Sequence, residues 1–144
     1  MNLPARVGWI ALVCLILGAC ATGGPKYSEV NKSVPTLSPG EARIYVYRIA
    51  SVGLAVQPDV KLNGMVIGRA QPNGFFYVDR KPGAYEITTT TEVERKLSMT
   101  LEAGQIRFVR LGVSFGFFVG HVYPELVDND IGMKEIRELS FTGT

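Results

Sequence analysis

The sequence predicts a mainly β protein: a small β-sandwich of about seven or eight antiparallel strands with a short C-terminal helix. Two observations predict it. Short segments alternate apolar and polar residues, and turn signals built from Gly, Pro and Asn separate them at short intervals. That combination is typical of sandwiches and barrels. Because the N-terminal region has a different composition, we divide the chain into residues 1–19, 20–40 and 41–144.

The first three predicted strands include one β-hairpin. Ala42 to Arg48 alternates and is the opening strand, and Pro58 to Leu62 alternates again. Asn63-Gly64 follows, which is the strongest short hairpin signal because a type I′ turn needs a positive φ at both central residues. Residues 65–68 are then the returning strand.

The later strands follow the same logic, each starting after a turn signal or showing clean alternation. In chain order they are Phe75–Val78, Tyr85–Thr91, Leu97–Leu101, Ile106–Val113 and the apolar run Phe115–Val122. A short helix is predicted after them, with Asp128 or Asp130 as its cap. Gly132 weakens that prediction because glycine is unfavourable inside helices.

The first 19 residues have the layout of a secretory signal peptide. Arg6 supplies positive charge, Val7 to Leu17 is uncharged and mostly apolar, and Gly18 and Ala19 are small. The apolar run is shorter than the roughly 20 residues of a transmembrane helix. No later stretch approaches that length without charge, so we expect no membrane span.

Leu17-Gly18-Ala19-Cys20 resembles the lipobox of bacterial lipoproteins. The resemblance implies cleavage between Ala19 and Cys20, a diacylglycerol thioether on Cys20 and acylation of the new N-terminus. The alternative is an ordinary signal peptide with an incidental cysteine. In Gram-negative lipoproteins an Asp after the cysteine favours inner-membrane retention. Since Ala21 stands there, the resemblance implies the outer membrane, on its periplasmic side.

The segment between this cysteine and the strands is predicted to be a flexible tether. Residues 21–40 are rich in Gly, Pro, Ser, Lys, Asn and Thr. Such a segment has too little apolar surface to offset its ordering entropy. The folded domain is therefore expected over residues 41–144. Cys14 leaves with the signal, so the domain has no disulfide.

Several motifs in this domain resemble the DUF2846 family of bacterial lipoproteins. They are "RIYVYR" at Arg43, "VKLNGMVIG" at Val60, "PGAYEI" at Pro82, "LEAGQ" at Leu101 and "RFVR" at Arg107. The resemblance covers most of Glu41 to Leu139. The hairpin and the Pro-Gly turn are also similar to the PEGA group of small β-sandwich modules. Both resemblances imply the fold and supply no catalytic residues.

His121 is the single histidine, in the apolar stretch "FFVGHVYPE". A serine hydrolase would need it in register with Ser114 and a carboxylate such as Asp128. No Gly-x-Ser-x-Gly elbow is present. We therefore favour a structural histidine in a sheet and keep the hydrolase as the alternative. One histidine without thiols offers no N/S metal cluster.

Two further motifs admit two interpretations each. Glu125, Asp128 and Asp130 form an acidic patch, which is either a weak Ca²⁺ site or, as we favour, a helix cap with solvated surface. The glycine-rich stretch 112–120 carries aromatic side chains. Core packing is favoured for them, and the alternative is an exposed binding platform. The platform residues are Phe115, Phe117, Phe118 and Tyr123.

Charge excludes one class of partner. The chain has 15 Lys and Arg against 13 Asp and Glu, and 14 against 13 once Arg6 leaves with the signal. No basic stripe is present, so nucleic acid is not an expected partner. We expect a non-enzymatic domain without a cofactor, lipid-anchored to the membrane, that binds an envelope protein or peptidoglycan.

Overall fold

The computed structural model describes residues 23–50, 52–115 and 120–143. The signal peptide, the cleavage site at Ala19 and Cys20, and the aromatic residues Phe117 and Phe118 lie outside the described residues. The elements in chain order are α1 Tyr27–Val30, β1 Ala42–Arg48, β2 Asp59–Leu62, β3 Met65–Arg69, β4 Gly74–Arg80, β5 Gly83–Thr90, β6 Glu94–Leu101, β7 Ile106–Phe115, β8 Gly120–Val127, α2 Asn129–Ile136 and β9 Ser140–Phe141.

The mainly β fold with a short C-terminal helix is confirmed. One sheet has the order β8-β7-β1-β4-β9, and the other has the order β3-β2-β5-β6. The described residues form nine strands rather than the seven or eight expected, because the two-residue β9 adds an edge strand. Most pairings are antiparallel, as expected.

Two pairings are parallel, which corrects the expectation of an entirely antiparallel fold. β1 pairs in parallel with β7, and β4 with β9. The chain leaves β1 for β2 and β3 in the second sheet, returns as β4, and leaves again for β5 and β6. When it returns as β7 beside β1, it runs in the same direction.

The main core lies between the two sheets. Its members are apolar side chains that alternate along the strands, so each strand gives one face to it. The fully or nearly buried ones include Ile44, Val46, Val60, Leu62, Ile87, Leu101, Val109, Leu111 and Val122. Burial of each such side chain contributes about 1.5–3 kcal/mol relative to exposure.

A second core covers the outer face of the five-stranded sheet. It contains Tyr45, Tyr47, Phe75, Phe108, Ile136 and Leu139. Helices α1 and α2 supply Tyr27 and Met133 at its border. β1 is therefore buried on both faces along its whole length.

The described part of the expected tether differs from a free linker. Val30 of α1 is only 8% exposed, and the Tyr27 ring centroid lies 5.7 Å from that of Phe75. Further on, the Pro35 carbonyl accepts a hydrogen bond of 2.9 Å from Arg43 Nη2. The packed domain thus begins upstream of the expected boundary at Glu41, because apolar residues in the segment find sites on the outer face.

Arg43 is held by a strong ion pair. Its Nε and Nη2 atoms each lie 2.7 Å from a carboxylate oxygen of Asp79. The hydrogen bonds that Arg43 donates to Asp79 raise the pKa of Arg43, so the guanidinium stays charged although it is buried. The pair stands beside Tyr77, whose ring centroid lies 4.4 Å from Arg43 Cζ.

The predicted hairpin is confirmed. Asn63 has φ 48° and Gly64 has φ 82°, and Leu62 pairs with Met65 across the turn. Asn63 Oδ1 also accepts a hydrogen bond of 2.8 Å from the Glu86 amide. This bond ties the turn to β5.

Candidate functional site

Strands of both sheets have their ends at one end of the sandwich. There β1 and β7 end and β4 and β8 begin, as the pairs Arg48 with Gly74 and Phe115 with Gly120 define. In the second sheet β5 ends and β6 begins at the same end. The contact between the β5–β6 turn and β8 fixes this, since Thr91 Oγ1 lies 3.1 Å from His121 Nδ1.

This end carries a set of exposed apolar side chains, which we call the apolar end. The exposed fractions are Ile49 45%, Val52 38%, Leu54 58%, Val93 47% and Phe115 82%. The other large apolar side chains exposed among the described residues are Met65, Val66, Leu126 and Ile131. Scattered exposed apolar residues are normal, whereas several at one end indicate a contact surface.

The loop after β1 is held in place by Arg48, which is fully buried. Arg48 Nη1 donates to the carbonyls of Val56 and Ala70, the latter at 2.8 Å, and Nη2 donates to Gly53 at 2.7 Å. Burial lowers the pKa of Arg48. Because the guanidinium binds loop carbonyls, it fixes the segment that presents Val52 and Leu54.

The same loop packs against β7. A Cβ atom on Gly53 would lie 3.2 Å from Cγ1 of Val113, two residues before Phe115. Gly53 has φ 66°, a conformation that favours glycine. The loop and the end of β7 therefore form one surface.

The N-terminal segment joins the fold at this end as well. The Phe141 amide donates to the Pro25 carbonyl at 2.8 Å, and the Tyr27 amide donates to the Leu139 carbonyl at 3.2 Å. Ser140 in turn pairs with Gly74 at the start of β4. The chain that follows Cys20 thus reaches the domain at the end that carries the apolar side chains.

The structure does not assemble the alternative hydrolase site around His121. The described hydrogen bond of its ring is to Thr91, and Nε2 lies 4.0 Å from the Glu92 carboxylate. Ser114 is the cross-strand neighbour of His121, and within the described residues no hydrogen bond joins the two side chains. Asp128 lies beyond the far end of β8, seven residues along the chain.

The proposed aromatic platform is not assembled by its described members. Phe115 is exposed at the end of β7, which is contrary to the core packing favoured for it. Tyr123 pairs with Gly112, and its ring lies where a Cβ on Gly112 would be. Strand alternation places Phe115 and Tyr123 on opposite faces of the sheet.

The acidic patch divides between a helix start and an ion-pair network. Asp128 occupies the N-cap position of α2, although its side chain makes no capping hydrogen bond. Glu125 accepts a hydrogen bond of 2.7 Å from Arg110 Nε. No group of three or more candidate metal ligands occurs within the ranges that the structure describes.

Sequence reasoning missed the network that Glu125 belongs to. Arg110 Nη1 also lies 3.0 Å from Glu135 of α2, and Glu135 accepts a hydrogen bond from the Tyr47 hydroxyl. Burial and the hydrogen bond to Glu135 raise the pKa of Tyr47. The hydrogen bond to Glu125 raises the pKa of Arg110. The network fastens α2 to the sheet. No signal for it was present in the sequence pattern, because the predicted last strand ended at Val122, before Glu125, and Glu125 pairs with Arg110 across β7 and β8.

The comparison with known families agrees with the motifs of β1 to β7. Residues 38–122 match the family described as "Protein of unknown function (DUF2846)". The chain belongs to the DUF2846 family. The matched residues contain β1 to β7 and the start of β8, and so they include most of both sheets.

A relative extends the similarity beyond the DUF2846 match. A Haemophilus influenzae protein named "Uncharacterized protein" is 33% identical over 132 residues, which covers 89% of this chain and 79% of the relative. No solved structure matches the chain. Within the described ranges of this DUF2846 chain, no helix has both the length and the apolar character needed to cross a bilayer.

Proposed function

We propose that this protein is a bacterial lipoprotein, anchored through Cys20, whose β-sandwich is a non-enzymatic binding domain of the cell envelope. The observation that carries the proposal is the position of the lipobox-like Leu17-Gly18-Ala19-Cys20. It ends five residues before Pro25, whose carbonyl is already hydrogen-bonded to β9. The anchor therefore leads directly into a folded domain.

The location follows from the same residues. Ala21 after the cysteine favours the outer membrane on its periplasmic side, where the domain has access to envelope proteins and peptidoglycan. Two or three acyl chains would hold it there, since one chain alone binds a bilayer only marginally. No cofactor is part of the proposal.

A protein partner is supported by the β2–β3 hairpin. β3 is the edge strand of its sheet, and its Met65 and Val66 side chains are 67% and 56% exposed. Edge strands with exposed apolar residues are templates for pairing with another chain. A hydrolase using Ser114 and His121 is less well supported because the His121 ring is bonded to Thr91.

Replacement of one of the two cysteines tests the anchor. Cys20→Ala is expected to abolish incorporation of labelled fatty acid and to remove the mature protein from the outer-membrane fraction. Cys14→Ala is the matched control, because Cys14 lies within the segment that cleavage discards. It should retain both the label and the fractionation. A Cys20→Ala protein that keeps the label would refute the proposal.

A further inference from the structure

We propose that the apolar end of the sandwich lies against the lipid bilayer that holds the acylated Cys20. The contact surface consists of Ile49, Val52, Leu54, Val93 and Phe115. The inference deepens the proposed function and depends on it in one respect, namely that Cys20 carries the lipid. It adds an orientation for the domain and a lipid-binding surface.

The reach of the anchor keeps the domain close to the membrane. Pro25 is fixed to β9 by the hydrogen bond from the Phe141 amide. Cys20 lies five positions before it in the chain, and a fully extended chain spans at most about 3.3–3.6 Å per residue, or roughly 18 Å in all. β7 alone has ten residues, about 33 Å of strand. The distance from the bilayer to the point where the chain joins the fold must therefore be shorter than the length of β7.

The direction of the strands decides which end is close. Tyr47 pairs with Arg110, so β7 continues four residues beyond the level at which β1 ends at Arg48. Those residues extend about 13 Å, and Phe115 is at their tip. Phe115 therefore lies on the side of the domain where Pro25 joins the fold, the side on which the short segment leads to Cys20.

The loops on the same side bring further apolar groups to this end. The Ala50 amide donates to Asn73 Oδ1 at 3.0 Å, and the Ser140 amide donates to the Asn73 carbonyl at 3.0 Å. These bonds connect the loop after β1 with the strand that binds Pro25. Ile49, the neighbour of Ala50, is therefore presented on the side of this end where Pro25 joins the fold.

The chemistry of the surface fits lipid better than an ionic partner. Its five members are aliphatic or aromatic, and they come from three separate segments. Two of the neighbouring charges face each other, since Arg69 Nε lies 3.7 Å from Asp59. Contact by apolar insertion should therefore be insensitive to salt, since screening acts on exposed charges. An acyl anchor combined with a second weak membrane contact is the arrangement that gives stable attachment.

The mature chain offers a direct test because its one native cysteine, Cys20, is the lipidation site. Phe115→Cys and Leu54→Cys can each be labelled with an environment-sensitive fluorophore in the full-length lipidated protein. The protein is then reconstituted in vesicles of phosphatidylethanolamine and phosphatidylglycerol at three to one. Val66→Cys is the matched control, because it is an exposed apolar position on the hairpin whose turn points away from the apolar end.

We expect nitroxide-labelled lipids to quench the labels at residues 115 and 54 at least twofold more than the label at 66. The difference should be the same in 0.1 M and 0.5 M NaCl. Equal quenching at the three positions would overturn the inference. So would weak quenching in vesicles combined with cross-linking of residue 115 to a protein in cells, which would assign the surface to a protein partner.

The mass of the N-terminal peptide separates failure of the two proposals. A peptide with acyl chains on Cys20, together with equal quenching, refutes the orientation and leaves the anchor intact. A peptide without acyl chains refutes the anchor, and the orientation with it.

Discussion

Gly132 lies inside α2, where glycine is ordinarily about 1 kcal/mol less favourable than alanine. The structure explains its presence. A Cβ atom on Gly132 would overlap the Phe108 ring, which belongs to the second core. The missing side chain lets α2 lie directly on the sheet. Glycine thus stabilises the packing of the helix while it weakens the helix itself.

We predict that Gly132→Ala destabilises the protein although it raises helix propensity. Overpacking of a well-packed site costs about 1–3 kcal/mol, which exceeds the gain of about 1 kcal/mol in propensity. Thermal unfolding should therefore show a melting temperature lower by several degrees. Lys134→Ala, at an exposed position in the same helix, should change stability by less than about 0.5 kcal/mol. A more stable Gly132→Ala protein would contradict the close packing.

Individual residues differ in whether their structural roles can be predicted from the sequence. Asn63-Gly64 was predicted because the requirement of a type I′ turn is local and two residues meet it. Arg48 and Gly132 could not be predicted, since their roles depend on partners far along the chain. Ala70 is 22 residues from Arg48, and Phe108 is 24 residues from Gly132. Phe115 was wrongly favoured as a core residue, because β7 continues past the end of β1 and Phe115 lies at the end of this extension.

Among the elements, the strands were predictable and their neighbours were not. Alternation and turn residues located β1 to β7 to within a few positions, because each pattern is contained in one short segment. The predicted run Phe115–Val122 was wrong for β8, which spans Gly120–Val127. The parallel pairing of β1 with β7 has no local signal, since 57 residues separate Arg48 from Ile106 and the route passes through the other sheet. α1 was missed for a related reason. Its four residues are stabilised by Phe75 and Leu139 rather than by their own propensity.

α1 should therefore contribute measurably to the stability of the domain. We compare two soluble forms, one starting at residue 23 and one at residue 41. Removal of residues 23–40 exposes the apolar surface under Tyr27 and Val30, and we expect a loss of about 2–4 kcal/mol from the burial of those two side chains. Denaturant unfolding monitored by circular dichroism measures it.

The control for this truncation is a point substitution in the longer form. Ser28 is exposed in α1, so Ser28→Ala should leave the unfolding midpoint almost unchanged. Equal midpoints for the forms starting at residues 23 and 41 would show that the segment is a tether in solution.

At the scale of the whole molecule, the sandwich separates two surfaces. The apolar end contains Leu54 and Phe115 and lies beside the point where the N-terminal segment joins the fold. The β2–β3 hairpin presents Met65 and Val66, and its turn points away from that end, because Asp59 pairs with Arg69 near the apolar end and Leu62 pairs with Met65 at the turn. In the proposed orientation, with the apolar end on the membrane, the β3 edge stays open to the aqueous side.

This arrangement predicts where an envelope partner binds. A photo-reactive residue in place of Val66 should give a discrete cross-linked product in cells, because β3 is an edge strand with exposed apolar side chains. Leu126 is the matched control, since it is 43% exposed on β8, away from the hairpin. Met65→Lys should lower the yield of the product at residue 66, because a lysine on an edge strand opposes pairing with another chain. If residues 66 and 126 give the same products in equal yield, the hairpin is not the binding surface. A product that persists in the Cys20→Ala strain would show that the partner binds the hairpin without the membrane anchor.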